Sequence, residues 1–217
     1  PTPEGNARAR AQLLAHRVEA LLVIGGNGSL AGAATLLGAP TASGRALAVA
    51  GVPASIDNDL GCTSMAIGVD TAMNTIVEAI DRIYDTASAH RRTFFIEVMG
   101  RDCGYLAMTS GIAAGADAVL VPEVDKTEED RIEHVVGVVR RAYEGEAARR
   151  RVLVIKAEGA KVDLQRLKAA VEARLAEVLP DVDSRITVLG HVVRGGSPSA
   201  FDRLLAARLA NAAVRGV

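Results

Sequence analysis

The stretch "VPASIDNDLGCTS" sets two carboxylates, Asp57 and Asp59, two residues apart directly after the apolar run "ALAVAGV". One carboxylate can take a proton from a hydroxyl while the other joins the oxygen shell of a cation. Phosphoryl transfer to an alcohol needs both. The competing reading is a solvated turn, because Pro, Ser, Asn and Asp all favour turns. In "VIGGNGSLAGA" a strand ends at Gly25-Gly26, and Asn27, Gly28 and Ser29 open a helix. Glycines let backbone N–H groups approach an anion, and a helix N-terminus favours negative charge. The alternative there is a tight strand–helix turn with Ser29 as the N-cap. In "HRRTFFIEVMGRDCGYLA" a strand ends at Met99-Gly100-Arg101, where Arg101 could hold a phosphate or a developing charge. Surface pairing is the ordinary role of residues such as Arg92 and Arg101, and gap filling that of Met99. In "RITVLGHVVRGGSPSAFDRLLAARL", His191 and Arg194 flank a glycine turn. Two such cations suit a dianionic sugar phosphate, and a satisfied buried histidine is the alternative. Glu158, ending "VLVIKAEG", can accept hydrogen bonds from sugar hydroxyls.

These groups need elements that hold them. "EALLVIGG", "ALAVAGV", "TFFIEVMG", "AVLVPE", "RVLVIKAEG" and "ITVLGHVV" are short, nearly continuous apolar runs, as strands of a parallel sheet buried on both faces require. Between them lie amphipathic helical stretches over 67–90, 104–115, 127–146 and 163–179, with a last one from 199 to about 214. The alternation predicts right-handed crossovers and a doubly wound, mostly parallel α/β fold. Ligands bind at the strand ends of such sheets. "GAPTASGR" reads as a loop insertion. With 217 residues, 49% of them hydrophobic, the chain can form a sizeable core; only 3% are aromatic and none is Trp, so that core must rest on Ala, Val, Leu and Ile. The net charge of −1 gives no sign of a nucleic-acid or membrane surface. No apolar run reaches the roughly 18 residues of a membrane span. Cys62 and Cys103 form no disulfide or metal pattern and suit a reducing, cytoplasmic setting. A dinucleotide-dependent oxidoreductase is excluded, because no GxGxxG opens a first strand–helix unit.

Taken in order, "GGNGS", "PASIDND", "IGVDTAMNTI", "DTASAHRRTFFIEVMGRDCGYLA", "GADAVLVPE", "AEGA" and the "RITVLGHVVRGGSPS" segment resemble the 6-phosphofructokinase family across nearly the whole chain. The resemblance implies two Rossmann-like domains, here incomplete: 1–68 as the remainder of a nucleotide-binding domain, 69–198 as a sugar-phosphate domain, and 199–217 as a helix returning to the first. It implies transfer of the terminal phosphoryl group of ATP, with Mg²⁺, to the 1-hydroxyl of fructose 6-phosphate, by a cytoplasmic, allosteric homotetramer of glycolysis. By motif, Asp57 is similar to the catalytic base, with Arg101 screening transition-state charge. Ser55 would contact the moving phosphoryl group. Met99, Gly100, Arg101 and Glu158 would bind the sugar, and His191 and Arg194 its 6-phosphate. Arg92 and Arg185 match arginines that the family supplies from a neighbouring subunit. Gly25, Gly26, Asn27, Gly28 and Ser29 match the nucleotide-phosphate turn, and Asn27 with Asp59 the metal site.

Several positions depart from the family pattern. Asn27 stands where the family usually has Asp, so weaker Mg²⁺ binding is expected. Gly28 matches ATP-type rather than pyrophosphate-type relatives. Tyr84 and Asp117 replace an Arg and a Glu that bind effectors in bacterial relatives, which argues against control of that type. The chain starts at Pro1 and stops at "VRGV", so both ends look internal, and the family's first strand–turn and last segment are not in it. Exposed sheet edges are then expected. Two alternatives to the ATP-dependent enzyme follow: a catalytically silent paralogue that binds sugar phosphate as a regulatory subunit, and a pyrophosphate-dependent relative.

Overall fold

The computed structural model describes residues 2–85, 92–144, 151–180 and 182–217. In chain order the elements are α1 (Pro3–Ala15), β1 (Ala20–Gly25), α2 (Asn27–Ala34), β2 (Ala48–Pro53), α3 (Val69–Asp85), β3 (Arg92–Val98), α4 (Tyr105–Ala113), β4 (Ala118–Leu120), α5 (Glu128–Tyr143), β5 (Arg151–Ala157), α6 (Leu164–Leu175), β6 (Asp183–Val188), a 3₁₀ turn (Gly190–Arg194) and α7 (Ala200–Arg215). They form two compact units: residues 1–55, 59–68 and 198–217, and residues 56–58 with 69–197.

In the first unit β1 and β2 pair in parallel, from Ala20 opposite Ala48 to Gly25 opposite Pro53. α2 packs on both strands and α7 on β2. β1 was expected to be buried on both faces, and it is not: Leu22 is 41% and Ile24 67% exposed. Its sheet has two strands among the described residues, so β1 keeps an open edge. The "GAPTASGR" segment is a loop closed by a Pro40–Ala46 bridge. α1 was not expected from the sequence. It starts at the Thr2 cap, whose hydroxyl accepts from the Gly5 amide at 3.1 Å, and it buries no residue. With no apolar stripe it gave no periodic signal.

The second unit is a four-stranded parallel sheet in the order β4-β5-β3-β6. β3 and β5 are nearly all buried, because helices cover both faces of this sheet. α5 and α6 lie together on one face, where Ile132, Val135, Leu167 and Val171 pack against Phe95, Val152 and Val154. Burial of one such side chain is worth about 1.5–3 kcal/mol. α3 and α4 pack against each other, and α4 also meets β4 and β5. The core is Ala, Val, Leu and Ile in the main, but its largest fully buried side chain is Phe95. Helix boundaries follow local chemistry: Thr127 and Asp130 form a reciprocal capping box at α5, and Asp163 caps α6 by accepting from the Arg166 amide at 2.8 Å. The helices expected over 67–90 and 127–146 are described to Asp85 and Tyr143; residues 86–90 and 145–146 lie outside the described residues. The strand expected through "ITVLGHVV" stops at Val188, and the chain turns at Gly190, whose φ is +51°. His191 and Arg194 therefore ride on the 3₁₀ turn, not on a strand.

Candidate active site

The C-terminal edge of the second unit's sheet gathers most of the candidate residues. β3 ends at Val98, and Met99, which is buried, leads into a turn in which Gly100 has φ +149° and Arg101 φ +50°. A side chain at Gly100 would meet the Cys103 carbonyl at 2.5 Å, so glycine is required there. The Cys103 amide donates to the Gly100 carbonyl at 2.9 Å and closes the turn. At the end of the neighbouring β5, Glu158 Oε1 accepts from the Gly100 amide at 3.2 Å and from the Arg101 amide at 2.6 Å. This leaves the Arg101 side chain 72% exposed, with its Nε 3.7 Å from Asp57 Oδ2. Asp57 itself is 7% exposed. The solvated-turn reading thus holds for backbone shape, with Asn58 at φ +53°, but not for Asp57. After β6, the third strand to end here, the Leu189 amide bonds the Glu97 carbonyl at 3.0 Å. The turn that follows exposes His191 and Arg194, so the buried-histidine reading fails. A buried carboxylate, a facing guanidinium, the Glu158 carboxylate and the exposed His191 and Arg194 at one sheet edge can hold a sugar phosphate and take a proton from its hydroxyl.

Arg92 and Arg185 are not brought into this cluster. Arg92 opens β3 and Arg185 lies near the start of β6. A seven-residue strand is about 20 Å long, so Arg92 lies at the opposite edge, while Arg185, opposite Phe94, lies part-way along β6. Arg92 Nε and Arg185 Nη2 share Asp183 Oδ2, at 3.2 and 3.0 Å. Two further positions are engaged inside the same unit. Arg151 lies 3.9 Å over the Tyr84 ring, and Asp117 Oδ2 accepts from the Leu153 amide at 2.9 Å.

In the first unit, β1 hands over to α2 through Gly26, which is the N-cap and has no side-chain cap bond. This corrects the reading of Ser29 as the cap. Among the described residues no side chain accepts from the amides at the head of α2, which is compatible with an anion-binding turn. A Cβ at Gly25 would lie 2.7 Å from Ser29 Oγ, whereas one at Gly28 would meet nothing within 4 Å. Gly25 thus serves packing, and Gly28 borders open space. Ser55 lies beside Gly26, 3.5 Å from where its Cβ would be. Asn27 Nδ2 donates to Asp59 Oδ2 at 2.8 Å, and Asp59 is exposed.

Residues that position the cluster were missed in the sequence. Lys156 is 4% exposed, and its Nζ donates to Glu97 Oε2 at 2.7 Å and to the Glu158 carbonyl at 3.3 Å. Gly159 lets the Arg101 carbonyl pass where any Cβ would overlap it. The signal for the first was present: a lysine inside an apolar strand requires an acid, and Glu97 stands at the matching register of β3.

The sequence profile of the Phosphofructokinase family matches residues 1–217. ATP-dependent 6-phosphofructokinase of Brevibacillus brevis is 46% identical over 215 residues, which cover 98% of this chain and 61% of that protein. Its namesake from Natranaerobius thermophilus is 48% identical over 197 residues, covering 91% of this chain and 56% of that protein. Among solved structures, Pichia pastoris phosphofructokinase in the T-state superposes with a TM-score of 0.88 at 33% identity, over 99% of this chain and 25% of that one. Phosphofructokinase from Saccharomyces cerevisiae gives 0.83 at 34% identity, over 99% of this chain and 30% of that one. The parallel α/β fold is thus shared with proteins of one kind. The chain belongs to the phosphofructokinase family. It spans about three fifths of the length of the curated relatives it matches.

Proposed function

We propose that the whole protein transfers the terminal phosphoryl group of ATP to the 1-hydroxyl of fructose 6-phosphate. The observation that carries this reading is Asp57, a buried carboxylate facing the Arg101 guanidinium at the sheet's ligand-binding edge. In the step, the sugar hydroxyl oxygen bonds to the terminal phosphorus, its proton passes to the Asp57 carboxylate, and the bond to the departing ADP oxygen breaks. Arg101 screens the charge that develops. Glu158 accepts from sugar hydroxyls with the oxygen that does not hold the turn, and Met99 and Gly100 shape the sugar's seat. His191 and Arg194 bind the 6-phosphate, and Ser55 contacts the moving phosphoryl group. The turn from Gly25 to Ser29 binds the nucleotide phosphates through its amides.

The donor set suits Mg²⁺ brought in by the nucleotide. Among the described residues no group of three or more His, Cys, Asp or Glu could hold a metal, while Asp59 offers a carboxylate and Asn27 an amide oxygen. Mg²⁺ keeps waters and commonly takes one or two carboxylates plus substrate phosphates. When bound it would neutralise phosphate charge.

We infer that the whole protein is a homotetramer in the cytoplasm. In this reading Arg92 and Arg185, paired here with Asp183, serve the site of a neighbouring subunit. In the whole protein, Asp57→Asn should lower kcat by about 10²–10⁴-fold while fructose 6-phosphate still binds. Mixed with an Arg185→Ala variant under exchange of subunits, it should regain activity, since some shared sites then carry neither lesion. Normal turnover by Asp57→Asn would refute the base, and no regain would refute the sharing.

A further inference from the structure

Arg131 is an interior cation that forms no salt bridge among the described residues. It lies in the first turns of α5 and is 4% exposed. Its Nη1 donates to the Val121 carbonyl at 3.0 Å and its Nη2 to the Val124 carbonyl at 2.7 Å. Its Nε is sealed from solvent and has no acceptor. The three acids that precede it on α5 are committed elsewhere: Glu128 to Arg166, Glu129 to Arg174 and Asp130 to Thr127. A buried charge left uncompensated is costly, and an anion nearby offsets that cost.

The space for one adjoins it. A cavity of about 110 Å³ lies between β4 and α5, walled by Val121 and Val124 among others and bordered by Arg131, Lys126 and His134. Pockets for drug-sized ligands begin at roughly 300 Å³, so this one fits a single small group. Lys126 and His134 are exposed and reach it from the solvent side. The charged residues that line it are all basic, and after burial the charges of Lys126 and Arg141 hold the His134 imidazole below its ordinary value. None of these residues belongs to the sugar-phosphate cluster.

We propose that this cavity binds a small oxyanion, a phosphate group or a short carboxylate, held by hydrogen bonds from Lys126 and His134 and by the charge of Arg131. Ammonium and imidazole N–H groups are strong donors to such anions. Binding would place the negative charge that the guanidinium lacks.

The test reads His134 directly. In the whole protein with isotopically labelled histidine, inorganic phosphate and, separately, acetate are titrated while the His134 ring signals are followed by NMR. The expected result is a saturable shift with a rise in the His134 pKa. A response to phosphate alone assigns a tetrahedral phosphate group, and an equal response to acetate assigns a carboxylate. Lys126→Ala should weaken the response by about tenfold or more, as loss of one charged hydrogen bond does, and Arg131→Met should abolish it. If Arg131→Met does not fold, Lys126→Ala alone decides. No saturable shift with either anion, or an unchanged affinity in Lys126→Ala, would overturn the proposal.

Discussion

The turn that carries Arg101 is held from three directions: by the Glu158 carboxylate on its amides, by the Cys103 amide on the Gly100 carbonyl, and by the close pass of Gly159. Left-handed backbone at a non-glycine residue is uncommon and persists where its surroundings enforce it. Gly159→Ala should therefore push the turn away from Asp57. A displacement near 1 Å can cost on the order of 10²-fold, so kcat/KM of the whole protein should fall by about that much. Unchanged kinetics would show that the turn does not need this close pass. At this scale the residue types were legible, because Asp57, Arg101, Glu158 and His191 all announce themselves by chemistry and position. Their burial was not. Whether Asp57 is solvated or enclosed depends on strands far away in sequence, and no local turn preference reports it. Lys156 was hidden for a related reason: its partner Glu97 is adjacent only once β3 and β5 pair.

Elements were legible where burial imposed a pattern. β3 and β5 stood out because both faces of their sheet are covered, so their sequences are apolar throughout. β4 is shorter than its apolar run, since Pro122 follows it and can donate no ladder bond. α1 escaped notice because it buries nothing. α5 combines both situations, with an apolar stripe facing the sheet and a basic flank at the cavity. That flank has a consequence for stability. The His134 pKa is lowered from 6.5 by burial first, then by Lys126 and Arg141. Below about pH 6.5 the unfolded chain takes up a proton that the folded chain resists, so stability falls as the pH drops from there towards the lowered value. Above that window His134 contributes no pH dependence. Urea melts in phosphate-free buffer at about pH 7.5 and about pH 5.5 should show a smaller acid loss for His134→Gln than for the unaltered protein. An equal loss would place the sensitivity at other groups.

At the scale of the molecule the doubly wound fold was legible from alternation alone, since strand, helix, strand with parallel pairing leaves few arrangements. The ligand edge followed from it, because in such sheets the groups that bind collect where strands end. The exposure of Leu22 and Ile24 was not legible, because an apolar run does not report which face of its strand is left uncovered. What composition could not convey is the division of labour among arginines. Arg101 and Arg194 follow strand ends at the cluster's edge while Arg92 and Arg185 are tied to Asp183 at the other, and only strand register separates them. The account rests on phosphoryl transfer to a sugar phosphate, and the most direct measurement is turnover of fructose 6-phosphate by the whole protein, with ATP and with pyrophosphate, across a magnesium titration. The account predicts turnover with ATP, rising to saturation at raised magnesium because Asn27 lends the site no charge, and little with pyrophosphate. Tight binding of fructose 6-phosphate with no turnover from either donor would contradict it.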